Sequence, residues 1–291
     1  MRILFAGDEH PYSAYALKKV IELARHTWAD VTLLAVSSEP ISADKDNPLP
    51  PNHSLIQALH RYRDDFLNEL GSSDSPYAEC QAYKWIPLKN GLWEEMKVCR
   101  GIRKEIKTCL TYGNTDAEIL GQSVRDSSDL IVLGCGKGKQ CSWESSASLP
   151  QKIVSNADSS VFLVKEDKPI RRILACIDQT SVSQESLEMI NQMVTIHKAQ
   201  LELVGLTKDG GAKPEAYTRM IEIGDYYSDR GIGITTRLME QSEFEAFVSK
   251  DTDGDLLAFC MGKKSLLTSL FPKDRVERFV STCQSSVLIL R

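Results

Sequence analysis

The sequence predicts two tandem α/β domains, each built on a doubly wound, five-stranded parallel sheet. Two observations support this fold class: the chain repeats itself, and each copy alternates short apolar runs with amphipathic helical patterns. "RILFAGD", which begins at Arg2, returns as "RILACID" at Arg172. The final apolar run "SSVFLV" at Ser159 returns as "SSVLIL" at Ser285. Strands that alternate with helices indicate parallel pairing through right-handed crossovers.

The elements of the first copy follow from local patterns in chain order. Apolar runs too short for helices predict buried strands, and runs with apolar residues at helical spacing predict covering helices. The predicted strands are "RILFAG", "ADVTLLAVS", "KEIKTCLTYG", "DLIVLG" and "SVFLVK", and the predicted helices are "SAYALKKVIELARHT", "TDAEILGQSVRDS" and "QKIVSNA".

The spacing between the copies shows where they differ. The offset is 170 residues from Arg2 to Leu33 but 128 residues at Leu110, which matches Leu238. The first copy therefore carries an extra segment of 42 residues, placed at about residues 40–100. We predict a first domain at residues 1–168, with this segment, and a second at 169–291. A charged linker at Glu166–Lys168 is expected to be short and exposed.

The extra segment contains one clear helical pattern and one ambiguous stretch. "SLIQALHRYRDDFLNEL" has apolar residues at helical spacing. In "AYKWIPLKNGLWEEMKV", Asn90-Gly91 is a hairpin signal. "LWEEMKV" is equally typical of a helix, so both alternatives stay open.

Composition and charge exclude several functional classes. The formal net charge of −5 argues against a general binder of nucleic acid or anionic membranes. The chain has no apolar run near the roughly 18 residues of a membrane span, and its N-terminus does not resemble a signal peptide. Cys135 and Cys141 have neither CxxC nor zinc-site spacing, and we expect Cys135 to be a free, buried thiol without a metal. These features predict a cytoplasmic protein.

The stretch "LGCGKGKQCSWESSASLPQKIV" from Leu133 is the candidate ligand loop. Ligands of open parallel sheets bind beyond the carboxyl ends of strands, where Gly134 lies. Gly136 and Gly138 permit close backbone approach, and Ser148 with Gln151 predicts a helix N-cap and capping box. The loop is neither a P-loop nor a dinucleotide fingerprint. A phosphate cradle and a simple surface turn both remain open.

The order of these motifs resembles that of universal stress proteins with two tandem domains. The resemblance rests on "ILFAGDEHPYSAYAL", on Gly113 before the third helix, on "DLIVLG", and on the closing "SSVFLVK". It covers both copies apart from the extra segment. It implies a Rossmann-like fold of the adenine nucleotide alpha hydrolase type. It also implies that the two domains pack as a pseudo-dimer through their final strands.

The family's nucleotide motif fits the first copy in part. Gly134 and Ser148 match it, whereas Lys137 stands where the second glycine belongs and Ala147 replaces the last glycine. The resemblance implies that Asp8 and the backbone around Val36 meet an adenine. It also implies that the remaining residues of the site line the ribose and phosphates: Leu133, Gly134, Cys135, Gly138, Ser148 and Leu149.

The second copy departs further from the nucleotide motif. Lys263, Lys264 and Ser265 replace the glycine-rich stretch, and Lys273-Asp274 stands where Ala147-Ser148 stands. A carboxylate at a helix N-terminus occupies the free N–H groups and repels a phosphate. We therefore predict a structural second domain and one nucleotide site per chain.

Three functions follow as hypotheses. The first is a stress-responsive sensor or signalling module that binds ATP, with or without Mg²⁺, with little or no turnover. The second is a scaffold that binds protein partners and no nucleotide. The third is a slow ATPase or phosphotransferase, although the neighbouring Asp8, Glu9 and His10 are more typical of cap and solvent groups than of an acid–base pair. A homodimer is a further expectation.

Overall fold

The computed structural model describes the chain outside residues 41–48, 51, 73–74, 78–81, 99–103, 138–140, 142, 144–145, 178–181, 208–213, 251, 253, 262–278 and 282. The chain forms two compact units. The first contains Met1–Cys135 and Ser142–Leu149, and the second contains Gly136–Cys141 and Pro150–Arg291. The units divide within the first sequence copy, and the boundary at residues 168 and 169 stays a prediction.

The first unit holds a six-stranded sheet in the order β6-β1-β2-β5-β4-β3. Neighbours among β6, β1, β2 and β5 pair in parallel, as predicted, and the β3–β4 hairpin adds two strands to the β5 edge by antiparallel pairing. Its elements are β1 (Arg2–Ala6), α1 (Pro11–Thr27), β2 (Asp30–Ser37), α2 (Ser54–Leu70), β3 (Ala82–Pro87), β4 (Trp93–Val98), β5 (Ile106–Tyr112), α3 (Thr115–Arg125) and β6 (Leu130–Gly134).

Residues 40–100 contain both α2 and the hairpin, which resolves the ambiguity of "LWEEMKV" in favour of a strand. Because α6 stands at the corresponding place between β9 and β10, the hairpin is the part without a described counterpart in the second copy. Asn90 and Gly91 have φ values of 62° and 74° at the turn. Asparagine and glycine tolerate this left-handed conformation best, which is why the pair signals a hairpin. The apolar face of α2 packs against β2 and α1, with Tyr62 and Phe66 fully buried.

The second unit contains a six-stranded sheet in the order β10-β9-β8-β11-β12-β7. The first five of these strands are parallel, and β7 pairs antiparallel with β12. The final strands of the two sequence copies therefore pair with each other, as predicted. The elements that begin in or belong to this unit are α4 (Leu149–Asn156), β7 (Ser160–Val164), β8 (Arg172–Ile177), α5 (Gln184–His197), β9 (Gln200–Thr207), α6 (Pro214–Ser228), β10 (Ile234–Glu240), α7 (Gln241–Lys250), β11 (Asp255–Cys260) and β12 (Ser286–Leu290).

The linker between the copies is buried at its start, contrary to the prediction of an exposed segment. The Glu166 carboxylate pairs with Lys137 at 2.7 Å and Lys168 at 3.3 Å, and it accepts a hydrogen bond from the N–H of Gly254 at 3.0 Å. A buried carboxylate needs such partners to offset its lost hydration. Asp167 and Lys168 are exposed, as expected.

Candidate functional site

A cleft of about 550 Å³ opens at the carboxyl ends of β1 and β2 in the first unit. In open α/β sheets this end of the strands is where ligands bind, because loops and helix starts converge there. The walls come from the segments after β1 and β2, from the start of α2 and from Trp143. The lining residues are Asp8, Glu9, His10, Val36, Ser37, Ser38, Glu39, Pro40, Pro50, His53, Ser54, Leu55 and Trp143.

Asp8, at the floor of this cleft, is held by the first turn of α1. Its carboxylate accepts hydrogen bonds from the Ser13 hydroxyl at 2.7 Å, from the backbone N–H of His10 at 3.1 Å and from the Tyr12 hydroxyl. The His10 Nδ1 lies 3.3 Å from the same carboxylate. Several donors on one carboxylate fix its orientation, so Asp8 presents a rigid acidic floor to the cleft.

The extra segment supplies the facing wall. The Ser54 hydroxyl donates to Glu9 Oε1 at 2.8 Å, which ties the start of α2 to the segment after β1. About two turns further along α2, the Tyr62 hydroxyl donates to the backbone carbonyl of Asp8. Burial raises the pKa of the Tyr62 phenol, although Arg61 lowers it in part, so Tyr62 remains a neutral donor.

His53 caps α2 at the mouth of the cleft. Its Nδ1 accepts a hydrogen bond from the backbone N–H of Leu55 at 3.3 Å. An imidazole nitrogen that accepts a hydrogen bond carries no proton, so the neutral ring has its proton on Nε2. His53 therefore adds a hydrogen-bond donor to a cleft that also holds Glu9 and Glu39.

Gly134 ends β6 against the start of α1. A Cβ at this position would lie 2.1 Å from the carbonyl oxygen of Tyr12, so only glycine allows this approach. The Gly134 carbonyl accepts a hydrogen bond of 2.7 Å from Nε1 of the buried Trp143, whose ring packs on Tyr12. The glycine thus has a packing role, separate from the ligand role that the resemblance implies.

The structure brings together some of the predicted site residues. Asp8 and Val36, the two expected adenine contacts, line one cleft. Leu133 and Cys135 are fully buried, Leu149 is buried and Ser148 is exposed, and none of these four lines the cleft. Gly138 lies outside the described residues, as do Asp178, Gly262, Lys263, Lys264, Ser265, Lys273 and Asp274 of the second copy.

The loop after β6 departs from the sequence expectation in three ways. Cys135 is disulfide-bonded, whereas we expected it to be a free thiol. The Lys137 ammonium is paired with Glu166. Gln151 does not complete a capping box, because its Oε1 accepts no hydrogen bond from the described residues, while its Nε2 donates to the Cys141 carbonyl at 3.0 Å and to the Ser281 hydroxyl at 2.8 Å.

Sequence reasoning missed several residues that shape the cleft. Trp143 lies in a polar, serine-rich stretch, and a tryptophan in such a context signals a buried anchor. His53 directly precedes the helical pattern of α2, where a cap is expected, and Ser54 is the first residue of that pattern. No sequence signal connects Ser54 or Tyr62 to the segment after β1, because both contacts cross more than 40 positions.

Within the described part of the chain, no cluster of three or more histidine, cysteine, aspartate or glutamate side chains could hold a metal ion. None of the described helices is long and apolar enough to cross a membrane.

No protein-family model and no curated protein matches the chain. The chain does match several solved structures. A universal stress protein from Archaeoglobus fulgidus is 13% identical with a TM-score of 0.57, and the match covers 100% of this chain and 98% of that one. A functionally unknown protein from Pseudomonas aeruginosa PAO1 is 14% identical with a TM-score of 0.61, with coverage of 100% and 92%.

The cytoplasmic domain of a prokaryotic cation chloride cotransporter also matches, at 12% identity and a TM-score of 0.52, with coverage of 99% and 94%. The same architecture therefore occurs in proteins of different kinds, and at this identity the likeness is one of fold. The three matches cover nearly the whole chain, which agrees with the tandem arrangement that the sequence repeat predicts. The chain has the fold of the tandem universal stress proteins.

Proposed function

We propose that the chain binds one adenine nucleotide in the cleft of the first unit and acts as a stress-responsive sensor or signalling module with little turnover. One observation carries the proposal: Asp8 and Val36, which the resemblance assigns to the adenine, line a single cleft at the carboxyl ends of β1 and β2. A pocket of several hundred cubic ångströms with a few convergent polar groups is typical of small-molecule sites.

The charge of the cleft favours the base and ribose as its occupants. Carboxylates of Asp8, Glu9 and Glu39 supply acceptors for an exocyclic amine and for ribose hydroxyls. The same carboxylates repel phosphates, which we place outside the cleft toward the loop after Gly134, with Mg²⁺ to offset their charge. His53 Nε2–H offers a donor to a ring nitrogen of the base.

Calorimetric titration of the full chain with ATP, with and without Mg²⁺, tests the proposal. We expect saturation near one equivalent. Ser38→Trp fills the cleft from its exposed rim and is expected to abolish binding. Ser72→Trp, at an exposed position away from the cleft, is the matched control and should bind like the parent chain. Saturation near two equivalents, or equal binding by both variants, contradicts the assignment.

A scaffold without nucleotide is the second candidate. It is favoured by the engagement of the loop's own polar groups, since Lys137 is paired with Glu166 and Trp143 holds the Gly134 carbonyl. In this case the same titration gives no heat at about 1 mM ATP, which corresponds to binding weaker than about −4 kcal/mol.

A further inference from the structure

β5 of the first unit and β10 of the second are equivalent strands. Each occupies the same place in its sheet, as the orders β6-β1-β2-β5 and β11-β8-β9-β10 show. The repeat matches Leu110 with Leu238 and hence Cys109 with Arg237. The outer side of β5 is covered by β4, whereas among the described residues no strand pairs with the outer side of β10.

The covering strand of the first unit shows which residues face this edge. β4 pairs antiparallel with β5, so that Trp93 lies opposite Leu110 and Glu94 opposite Cys109. Trp93 shares a face of β4 with Glu95, which pairs with Arg63 of α2 at 2.6 Å. Trp93 therefore lies on the α2 side of the sheet and Glu94 on the other side.

A row of alternating charges crosses the second sheet and ends at its open edge. Asp255 on β11 pairs with Arg172 on β8 at 2.6 Å, and Arg172 pairs with Glu202 on β9 at 3.3 Å. Glu202 in turn pairs with Arg237 on β10 at 2.7 Å. Arg237 is the last cation of this row, and its side chain is 45% exposed. A strand added beside β10 would therefore be stabilised by a carboxylate opposite Arg237.

The opposite face of the same edge is apolar. Leu238 points toward α6, since a Cβ on Gly205 would meet both Leu238 and Met220. Beside Leu238, Tyr217 and Ile221 of α6 are 52% and 64% exposed, and together they line a groove of about 510 Å³. Large exposed apolar side chains grouped at a sheet edge mark a place where another chain packs.

We propose that the outer edge of β10 binds an extended strand of a protein partner in antiparallel pairing. The strand carries a carboxylate opposite Arg237 and a large apolar residue opposite Leu238. The carboxylate extends the charge row, and the apolar residue enters the groove beside Tyr217 and Ile221. Main-chain hydrogen bonds along the edge supply affinity, and these two side chains supply selectivity. This site lies in the second unit and does not depend on nucleotide binding.

A second copy of the chain fits this edge less well. Antiparallel pairing of two β10 strands over their full length, Ile234–Glu240, places Arg237 opposite itself. Like charges directly opposite each other destabilise a strand pair. The "Trp-Glu" order of β4, by contrast, places Trp93 opposite the Leu238 position and Glu94 opposite the Arg237 position.

The test uses a fluorescein-labelled peptide, GLWEEMKV, which copies Gly91–Val98, and anisotropy with the full chain. The same peptide with Glu94→Lys is expected to bind about fivefold to tenfold more weakly, because an attraction becomes a repulsion. Arg237→Glu should reverse this preference and favour the lysine peptide. Arg230→Glu, an exposed arginine away from the groove, is the matched charge-reversal control and should leave the preference unchanged.

Tyr217→Ala provides a second reading that leaves the charge row intact, and it should weaken both peptides equally by about fivefold. Three results overturn the proposal. These are no binding at about 1 mM peptide, binding that ignores the charge at Arg237, and self-association of the chain in sedimentation that Arg237→Glu alone removes. A preference that switches with Arg237→Glu supports the proposal. If the peptide instead replaced the chain's own β4 beside β5, its binding would not depend on Arg237.

Discussion

Replacement of Gly134 by alanine tests whether packing against α1 fixes this glycine. The new Cβ would lie 2.1 Å from the Tyr12 carbonyl oxygen and 2.5 Å from the Tyr12 carbonyl carbon. These are backbone atoms, so relief requires α1 to move by about 1 Å, and overpacking of this kind costs about 1–3 kcal/mol. We expect Gly134→Ala to lower the free energy of unfolding by that amount in urea denaturation.

Gly121→Ala is the matched control. Gly121 lies within α3, where the nearest atom to a new Cβ is Nη1 of Arg125 at 3.5 Å. Alanine is favoured over glycine inside a helix, so this variant should gain about 0.5–1 kcal/mol. Equal stability of Gly134→Ala and the parent chain would refute the packing argument and leave ligand approach as the reason for the glycine.

Three further predictions follow from the described contacts. Tyr62→Phe leaves the buried Asp8 carbonyl without its side-chain donor and should cost about 1 kcal/mol in the same urea assay; a stability equal to the parent would contradict this. Burial would raise the pKa of Glu95, but hydrogen bonds from His60 and Arg63 lower it overall. The ionised Glu95 therefore stabilises the fold above its unfolded-state pKa, and this stabilisation is lost as pH falls through its folded-state pKa. Glu95→Gln should therefore be less stable near pH 7, with the two stability curves converging in acid; parallel curves would exclude this linkage. The fragment 1–168 contains β7 without β12, its antiparallel partner, and should self-associate or precipitate in sedimentation, whereas a stable monomer would argue against that pairing.

The existence of the strands and their parallel pairing were accessible from the sequence because the repeat and the apolar runs both report burial. "DLIVLG" and "RILFAG" have no polar alternation, which is typical of parallel strands covered on both faces. The hairpin turn was accessible for a local reason, since Asn90 and Gly91 adopt positive φ values that few residue pairs tolerate. Both features depend on residues that are adjacent in sequence, so a local sequence pattern is enough to predict them.

Features that depend on distant partners were not accessible. Glu166 stands in a charged stretch that is typical of an exposed linker, yet it is buried because Lys137 and the Gly254 N–H satisfy it. Gln151 follows Ser148 at capping-box spacing, but its side chain is drawn instead to Cys141 and Ser281. In each case, a long-range partner outcompetes the local pattern.

The residues of the candidate site serve the fold and the cleft together. The carboxylate of Asp8 ties β1 to α1 through Ser13 and also forms the floor of the cleft. Its carbonyl ties β1 to α2 through Tyr62. The same cleft is also lined by His53 and Ser54, which belong to the segment that the resemblance does not cover. Under the proposed function, this segment would therefore contribute to nucleotide selectivity together with the shared strands, and calorimetric titration of variants at its start should show a changed nucleotide preference with an unchanged fold.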